Sequence, residues 1–172
     1  KDFSKNGEIS EEDIDILHTG NSVLSDNSVY CIRENHHGCL LIGTEGRHMH
    51  YYKNGRLGRI KGSARLSHIY SMAHQNDSTS WVVTGRDLAY RCHTTTSDGI
   101  PSITAIDSIE FRSTLKARTQ IFNMEIQNDS TIWFGSKGHG CLIYHTNTGK
   151  SELLHFPKEY GVAINEITDI SN

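Results

Sequence analysis

The chain has 172 residues, a formal net charge of −3 at pH 7, 35% hydrophobic residues and 22% charged residues. These values are typical of one soluble globular domain with a sizeable core. Lysine and arginine are scattered, which argues against a nucleic-acid partner. The longest apolar runs have about four residues, whereas a membrane-spanning helix needs about 20, so no membrane contact of this segment is expected.

The first predicted unit is a series of short β-prone runs separated by turn residues. Apolar runs at 29–32 and 41–44 flank a polar turn at 35–38. Two further runs follow at 48–52 and 57–60, on either side of a Lys-Asn-Gly turn. The pattern predicts four strands joined by hairpins.

The second and third units repeat this plan and share a phrase, Gln-Asn-Asp-Ser-Thr-x-Trp. It begins at Gln75 and again at Gln127. Because asparagine, aspartate and serine bond to their own backbone, the phrase predicts a turn followed by a strand that contains the tryptophan. The third unit continues with β-prone runs at 140–144 and 152–156.

The first apolar anchors of the units are Val29, Ile69, Ile121 and Ile167, which are 40, 52 and 46 residues apart. Periods of about 40–50 residues are typical of propeller blades. The sequence therefore predicts an all-β chain of β-propeller blades, each a four-stranded antiparallel sheet, with three blades and the start of a fourth. Residues 1–172 form one partial propeller domain, with repeats at 24–63, 64–115, 116–160 and, in part, 161–172.

Two structural details follow from this alignment. A large residue stands 12 positions after each anchor, at Leu41, Trp81 and Trp133. We expect both tryptophans to be mostly buried between neighbouring sheets. We also expect the extra length of the second repeat to form a loop at 93–101.

The first unit resembles a known repeat. Residues 27–44 read NSVYCIRENHHGCLLIGT. The two-component regulator propeller repeat reads roughly N-S-V-x-x-I-x-E-D-x-x-G-x-L-W-I-G-T, followed by G-L-x-x-Y. The third unit fits at 132–136 and 140–144. Leu41 replaces the family tryptophan, Asn35 replaces the aspartate, and the second unit lacks the turn glycine. The resemblance covers roughly residues 24–172.

This resemblance implies the periplasmic sensor region of a Bacteroides-type hybrid two-component histidine kinase, which is an inner-membrane protein. The implied ligands are carbohydrates, recognised without catalysis by this region and without a cofactor. The alternatives are a propeller-fold polysaccharide lyase or glycosidase, and a propeller that docks another protein.

Candidate ligand-binding residues follow the second strand of each unit. In propellers these loops gather on one face, together with the segments that lead into each first strand. The residues are Arg47, His48, Arg86, Lys137 and His139. Arginine forms paired hydrogen bonds with planar acids, so a hydroxyl-rich or acidic sugar is expected. The alternative is that all five are solvated turn residues.

Signals for metal binding and catalysis are weak. His48 and His50 alternate as two neighbours on one strand face would, but no nearby cysteine or carboxylate completes a tetrahedral set. The four cysteines form no CxxC pair. Glu45 and Asp87 are candidates for a carboxylate pair that cleaves glycosides, but they lie in different repeats. No metal site and no enzyme activity are predicted.

A partner for the blades is also expected. Complete propellers have about 4–8 blades in a closed ring, and a partial repeat at 161–172 leaves a strand without its sheet. We therefore expect either the rest of a larger ring or self-association as a homodimer.

Overall fold

The computed structural model describes residues 15–116 and 118–154. The chain forms three four-stranded antiparallel sheets in which neighbouring strands are consecutive in sequence. Blade 1 consists of β1 (Val29–Glu34), β2 (Leu40–Thr44), β3 (His50–Lys53) and β4 (Arg56–Arg59). Blade 2 consists of β5 (Ser71–Asn76), β6 (Thr79–Val83), β7 (Leu88–Ser97) and β8 (Ile100–Glu110). Blade 3 consists of β9 (Ile121–Asn128), β10 (Thr131–Ser136), β11 (Gly140–His145) and β12 (Lys150–Leu154).

This arrangement confirms the predicted all-β fold of propeller blades. Part of the third repeat, and the whole fourth repeat at 161–172, lie outside the described residues.

The repeated phrase forms the turn between the first two strands of a blade. The Asn76 side-chain oxygen accepts the backbone N–H of Ser78 at 3.0 Å, and Asn128 accepts that of Ser130 at 2.9 Å. These local bonds satisfy the backbone of the turn, where the hydrogen bonds between the two strands end. The phrase therefore recurs because both blades need the same turn, and not because both carry a catalytic site.

Two apolar layers join the three blades. Leu41, Met72 and Val82 lie in the layer between blades 1 and 2, whereas Trp81 and Phe134 lie in the layer between blades 2 and 3. Val82 and Trp81 face opposite ways because successive strand residues point to opposite sides of a sheet. Blade 2 is therefore packed on both faces.

The burial prediction is confirmed for Trp81 and met only in part for Trp133. The Trp81 side chain is fully buried, but Trp133 is only half-buried. On β10 the flanking residues Ile132 and Phe134 pack against blade 2, so Trp133 points to the opposite face. No described blade covers that face.

The predicted loop at 93–101 is also wrong, because these residues extend β7 and β8 into a long hairpin. Threonines at 94–96 favour extended backbone, and Pro101 is tolerated because β8 is the outermost strand. The hairpin tip reaches blade 1, where the Asn35 amide donates to the Gly99 carbonyl at 3.1 Å. The long hairpin of blade 2 thus contacts the β1–β2 turn of blade 1.

A single turn of helix, α1 (Arg112–Leu115), links blades 2 and 3. It ends at Lys116, which has a left-handed φ of 53°. Leu115 is buried in the layer between these blades, so the turn positions the connection that leads into β9.

Candidate functional site

Five segments form one face of the described molecule, which we call the mouth face. They are the loops between the second and third strands, 45–49, 84–87 and 137–139, and the connections into β5 and β9, 60–70 and 118–120. Backbone bonds join them: His48 donates to the Leu66 carbonyl at 2.9 Å, and Lys137 donates to the Gln120 carbonyl at 2.8 Å.

The first pocket on the mouth face lies over blade 2 and the two connections that flank it, and we call it the Tyr70 pocket. Its volume is about 230 Å³. Its lining residues come from the loop after β6 and from both inter-blade connections, and are Ser67, His68, Tyr70, Thr84, Gly85, Arg86 and Gln120. Hydroxyl, amide, imidazole and guanidinium groups therefore surround one aromatic ring, which is the composition of a site for a polar ligand with an apolar side.

A row of three aromatic rings runs through this site. Tyr30 stacks on Tyr70 with ring centroids 4.5 Å apart and an interplanar angle of 10°, and Tyr70 meets Phe122 edge-on at 4.9 Å. Each ring follows the first apolar anchor of its own repeat, so each blade contributes one. This row was not among the predicted site residues, although aromatic residues stand at the same position of all three repeats.

Gly85 allows Tyr70 to occupy its place. Its φ is +66°, and a Cβ atom there would lie 2.5 Å from Cε2 of the Tyr70 ring. The loop after β6 thus needs glycine both for its left-handed backbone and for the close approach of the ring.

The hydroxyl of Tyr30 is held protonated. Partial loss of solvent, followed by hydrogen bonds with Tyr70 and with Glu45, raises the pKa of Tyr30 to about 12. The Glu45 carboxylate also lies 4.0 Å from His68 Nε2. Glu45 is therefore engaged by neighbouring side chains of the mouth.

The second pocket adjoins the first, and we call it the Lys137 pocket. It has a volume of about 380 Å³ and is lined by Arg118, Thr119, Gln120, Lys137 and His139. The Thr119 hydroxyl donates to the Lys137 carbonyl at 2.7 Å, and His139 Nδ1 donates to the same oxygen at 3.1 Å. Gln120 lines both pockets, so the two form a continuous surface.

A buried histidine fixes the segment before β1 to the mouth face. His50 is fully buried, and its Nε2 accepts the backbone N–H of Ser25 at 3.2 Å. The Ser25 hydroxyl donates to the Arg47 carbonyl. Burial, reinforced by the positive charge of Arg59, lowers the pKa of His50 to about 4. His50 is therefore neutral at pH 7.

The five predicted site residues divide into two groups. Arg86 lines the Tyr70 pocket, and Lys137 and His139 line the Lys137 pocket. Arg47 and His48 line neither: Arg47 pairs with Ser67 through a backbone bridge, and His48 has a left-handed φ of 72° just before β3. Their role in binding stays a prediction, as it does for the other three.

His48 and His50 do not form the expected pair on one face of a strand, because β3 begins only at His50 and His48 lies in the loop before it. Among the described residues, no group of three histidine, cysteine or acidic side chains is placed to hold a metal ion. Burial raises the pKa of the Cys31 thiol to about 11 and that of Cys92 to about 12, so both thiols are unreactive at neutral pH.

No helix in the described ranges has the length and apolar character needed to cross a membrane. No protein-family model matches the chain, and no curated protein matches its sequence.

Solved structures share the fold. YCF48 from Cyanidioschyzon merolae superposes with a TM-score of 0.59 at 14% identity, over 78% of this chain and 42% of that one. The extracellular domain of the one component system BT4673 from B. thetaiotaomicron gives 0.56 at 17% identity, over 89% of this chain and 19% of that one. The extracellular domain of the hybrid two component system BT3049 from the same organism gives 0.39 at 15% identity, over 82% and 26%.

Identities this low show the fold alone. The chain spans less than half the length of each of these proteins. At the level of fold, the similarity to YCF48 and to the BT4673 domain agrees with the propeller-repeat resemblance of the sequence.

Proposed function

We propose that this chain is the extracytoplasmic ligand-sensing propeller of a signal transduction sensor, and that it recognises a carbohydrate at the mouth face. The observation that carries the proposal is the Tyr70 pocket, where the loop after β6 and both inter-blade connections surround an aromatic ring with several hydrogen-bonding side chains. The fold similarity to the extracellular domain of the one component system BT4673 supports the signalling role.

The chemistry of the pocket suits a sugar. A pyranose ring has a C–H face that packs against an aromatic ring and a rim of hydroxyls that need donors and acceptors. Tyr70 supplies the ring, and Thr84, Gln120 and Arg86 supply the polar groups. Because two inter-blade connections line the pocket, the contacts of the ligand depend on how the blades are packed, which is what a sensor requires.

The proposal extends to the whole protein. In that setting the propeller lies on the periplasmic side of the inner membrane, and a histidine kinase on the other side receives the signal. The sequence of the full-length gene product tests this part directly, since a downstream kinase is expected.

Binding is tested by titrating the 172-residue chain with a panel of neutral and acidic oligosaccharides in a calorimeter. We expect binding to at least one class, with no change in the saccharide by mass spectrometry. Release of a shorter product would identify a propeller lyase or glycosidase instead. A folded chain that binds no saccharide would overturn the proposal and favour protein docking.

The aromatic contact has a matched control. Replacing Tyr70 with alanine should weaken binding about tenfold or more, because the stacking face is lost. Tyr52 is a half-buried tyrosine in β3 that lines neither pocket, so Tyr52→Ala should leave the affinity unchanged. Equal loss in both variants would place the binding site elsewhere.

A further inference from the structure

The mouth face carries a cluster of positively charged residues, and recognition of a neutral sugar would not require all of them. Arg86 lines the Tyr70 pocket, Arg118 and Lys137 line the Lys137 pocket, and Gln120 lines both. No aspartate or glutamate lines either pocket. The cluster therefore stands out on a chain whose formal net charge is −3.

These three cations have no partner within residues 15–116 and 118–154. None of them forms an ion pair or donates a side-chain hydrogen bond there. In contrast, Arg91 on β7 lies 2.8 Å from the Asp107 carboxylate. Two carboxylates belong to the mouth-face segments. Glu45 interacts with Tyr30 and His68, and Asp87 forms no ion pair with a cation of the described residues.

The fold gathers the segments that carry these cations. Ile121 donates to the Arg86 carbonyl at 3.2 Å, and Lys137 donates to the Gln120 carbonyl at 2.8 Å. Like charges on tied segments repel one another unless an anion lies among them. Arginine and lysine in such a surface are well suited to carboxylate and sulfate groups.

We propose that the mouth face is selective for anionic saccharides, with Arg86 binding one acidic group beside Tyr70, and Arg118 and Lys137 binding a second in the adjoining pocket. This inference rests on the proposed function and names the ligand class for the same site. Arg118 and Gln120 join the site as residues that spacing alone did not identify. The acidic group is a uronate carboxylate or a sulfate ester.

The test titrates the 172-residue chain with four tetrasaccharides: a polyuronate, its methyl ester, a neutral polymer of the same size, and a sulfated form of that polymer. We expect the methyl ester and the neutral form to bind at least about tenfold more weakly than the polyuronate or the sulfated form. Raising NaCl from about 20 mM to about 200 mM should weaken the acidic ligands selectively. The tighter of the two acidic ligands identifies the acidic group.

The variants Arg86→Ala, Arg118→Ala and Lys137→Ala should each weaken binding of the acidic saccharide by about tenfold, and by a larger factor than they weaken binding of the neutral one. Arg56→Ala is the control, because Arg56 is exposed on β4 and lines neither pocket. Circular dichroism confirms that each variant is folded.

The outcomes separate this inference from the proposed function. Equal affinity for neutral and acidic saccharides, with binding still lost in Tyr70→Ala, would overturn the anionic selectivity and leave the carbohydrate site standing. Absence of binding to all four saccharides by the folded chain would overturn both.

Discussion

Trp81 and Trp133 occupy the same position in successive repeats and have different surroundings. In each case the indole N–H donates to a glutamine six residues earlier, at 3.0 Å for Gln75 and 2.9 Å for Gln127. Yet Trp81 is fully buried against Tyr144 of blade 3, with ring centroids 5.8 Å apart, and Trp133 is half-buried.

The local geometry of a blade is thus set by its own repeat, and burial is set by the next blade. Blade 1 follows the same rule: its residues are buried on the face that meets blade 2 and exposed on the opposite face. Leu41, at the equivalent position, is buried against blade 2, but Ile32 and Leu40 on the opposite face are 51% and 36% exposed. A repeat fold completes each core layer only where two blades meet.

The largest expected effect is on the free energy of unfolding of the two tryptophan variants. Trp81→Ala should cost about 3–5 kcal/mol because it empties a packed layer between two blades. Trp133→Ala should cost only about 1–2 kcal/mol, since part of the indole already contacts solvent. Urea unfolding of the two variants measures both. Equal costs would show that an unseen partner covers Trp133 as completely as blade 3 covers Trp81.

Much of the fold was predictable because the turn residues of each blade lie within the sequence of its own repeat. The Asn-Asp-Ser triplets and the anchor spacing located the first two strands of each blade, since those signals are local. The partial exposure of Trp133 was not predictable, because it depends on a neighbouring blade. The loop at 93–101 was wrongly predicted because polar threonines and a proline are typical of loops. In the structure these residues extend β7 and β8, which pair with each other at the outer edge of blade 2.

The second expected effect is a pH dependence of stability on the covered side of blade 1. Because the pKa of His50 falls to about 4 in the folded chain, the unfolded state binds a proton at higher pH than the folded state does. Stability should therefore decrease as pH falls from about 6.5 to about 4, by about 2–3 kcal/mol from this residue.

Urea unfolding at several pH values, compared with His50→Gln, isolates this contribution. The variant should lose less stability over the same interval. Parallel curves for the two proteins would show that His50 is solvated and that the segment at Ser25 does not cover it.

A third contrast compares two left-handed glycines of the mouth face. Gly85 lies against Tyr70, whereas a Cβ atom at Gly138, with φ +77°, would have no neighbour within 4 Å. Gly138→Ala should cost about 1 kcal/mol for backbone strain alone, and Gly85→Ala about 2 kcal/mol because the ring must also move. Thermal unfolding compares the two. Only the Gly85 variant should also weaken saccharide binding, and an equal effect in both would contradict the close packing of Tyr70.

The smallest contrast concerns the two glutamines. Gln75→Ala should cost about 1–2 kcal/mol because it leaves the buried Trp81 N–H without an acceptor. Gln75 also donates to the Asp129 carbonyl of blade 3. Gln127→Ala should cost close to zero, since water replaces the acceptor for Trp133. Chemical unfolding measures both, and a larger cost for Gln127 would reverse the assignment of covered and uncovered faces.

The candidate site was predictable only in part. Spacing placed Arg86, Lys137 and His139 on one face because each follows the second strand of its blade. The aromatic row and Arg118 depend on contacts between blades, which local patterns do not specify. Arg47 was expected on the same face as Arg86; its backbone pairs with Ser67 of that face, and its part in binding stays a prediction.

The central claim is that ligand binds on the mouth face, in the Tyr70 pocket and the adjoining Lys137 pocket. Amide NMR of the 172-residue chain, titrated with the tightest saccharide of the panel, tests it most directly. The account predicts shifts at Gly85, Arg86 and Gln120, with none at the turns of Asp77 and Asp129 on the opposite face. Shifts confined to those turns, or spread without preference over both faces, would contradict it.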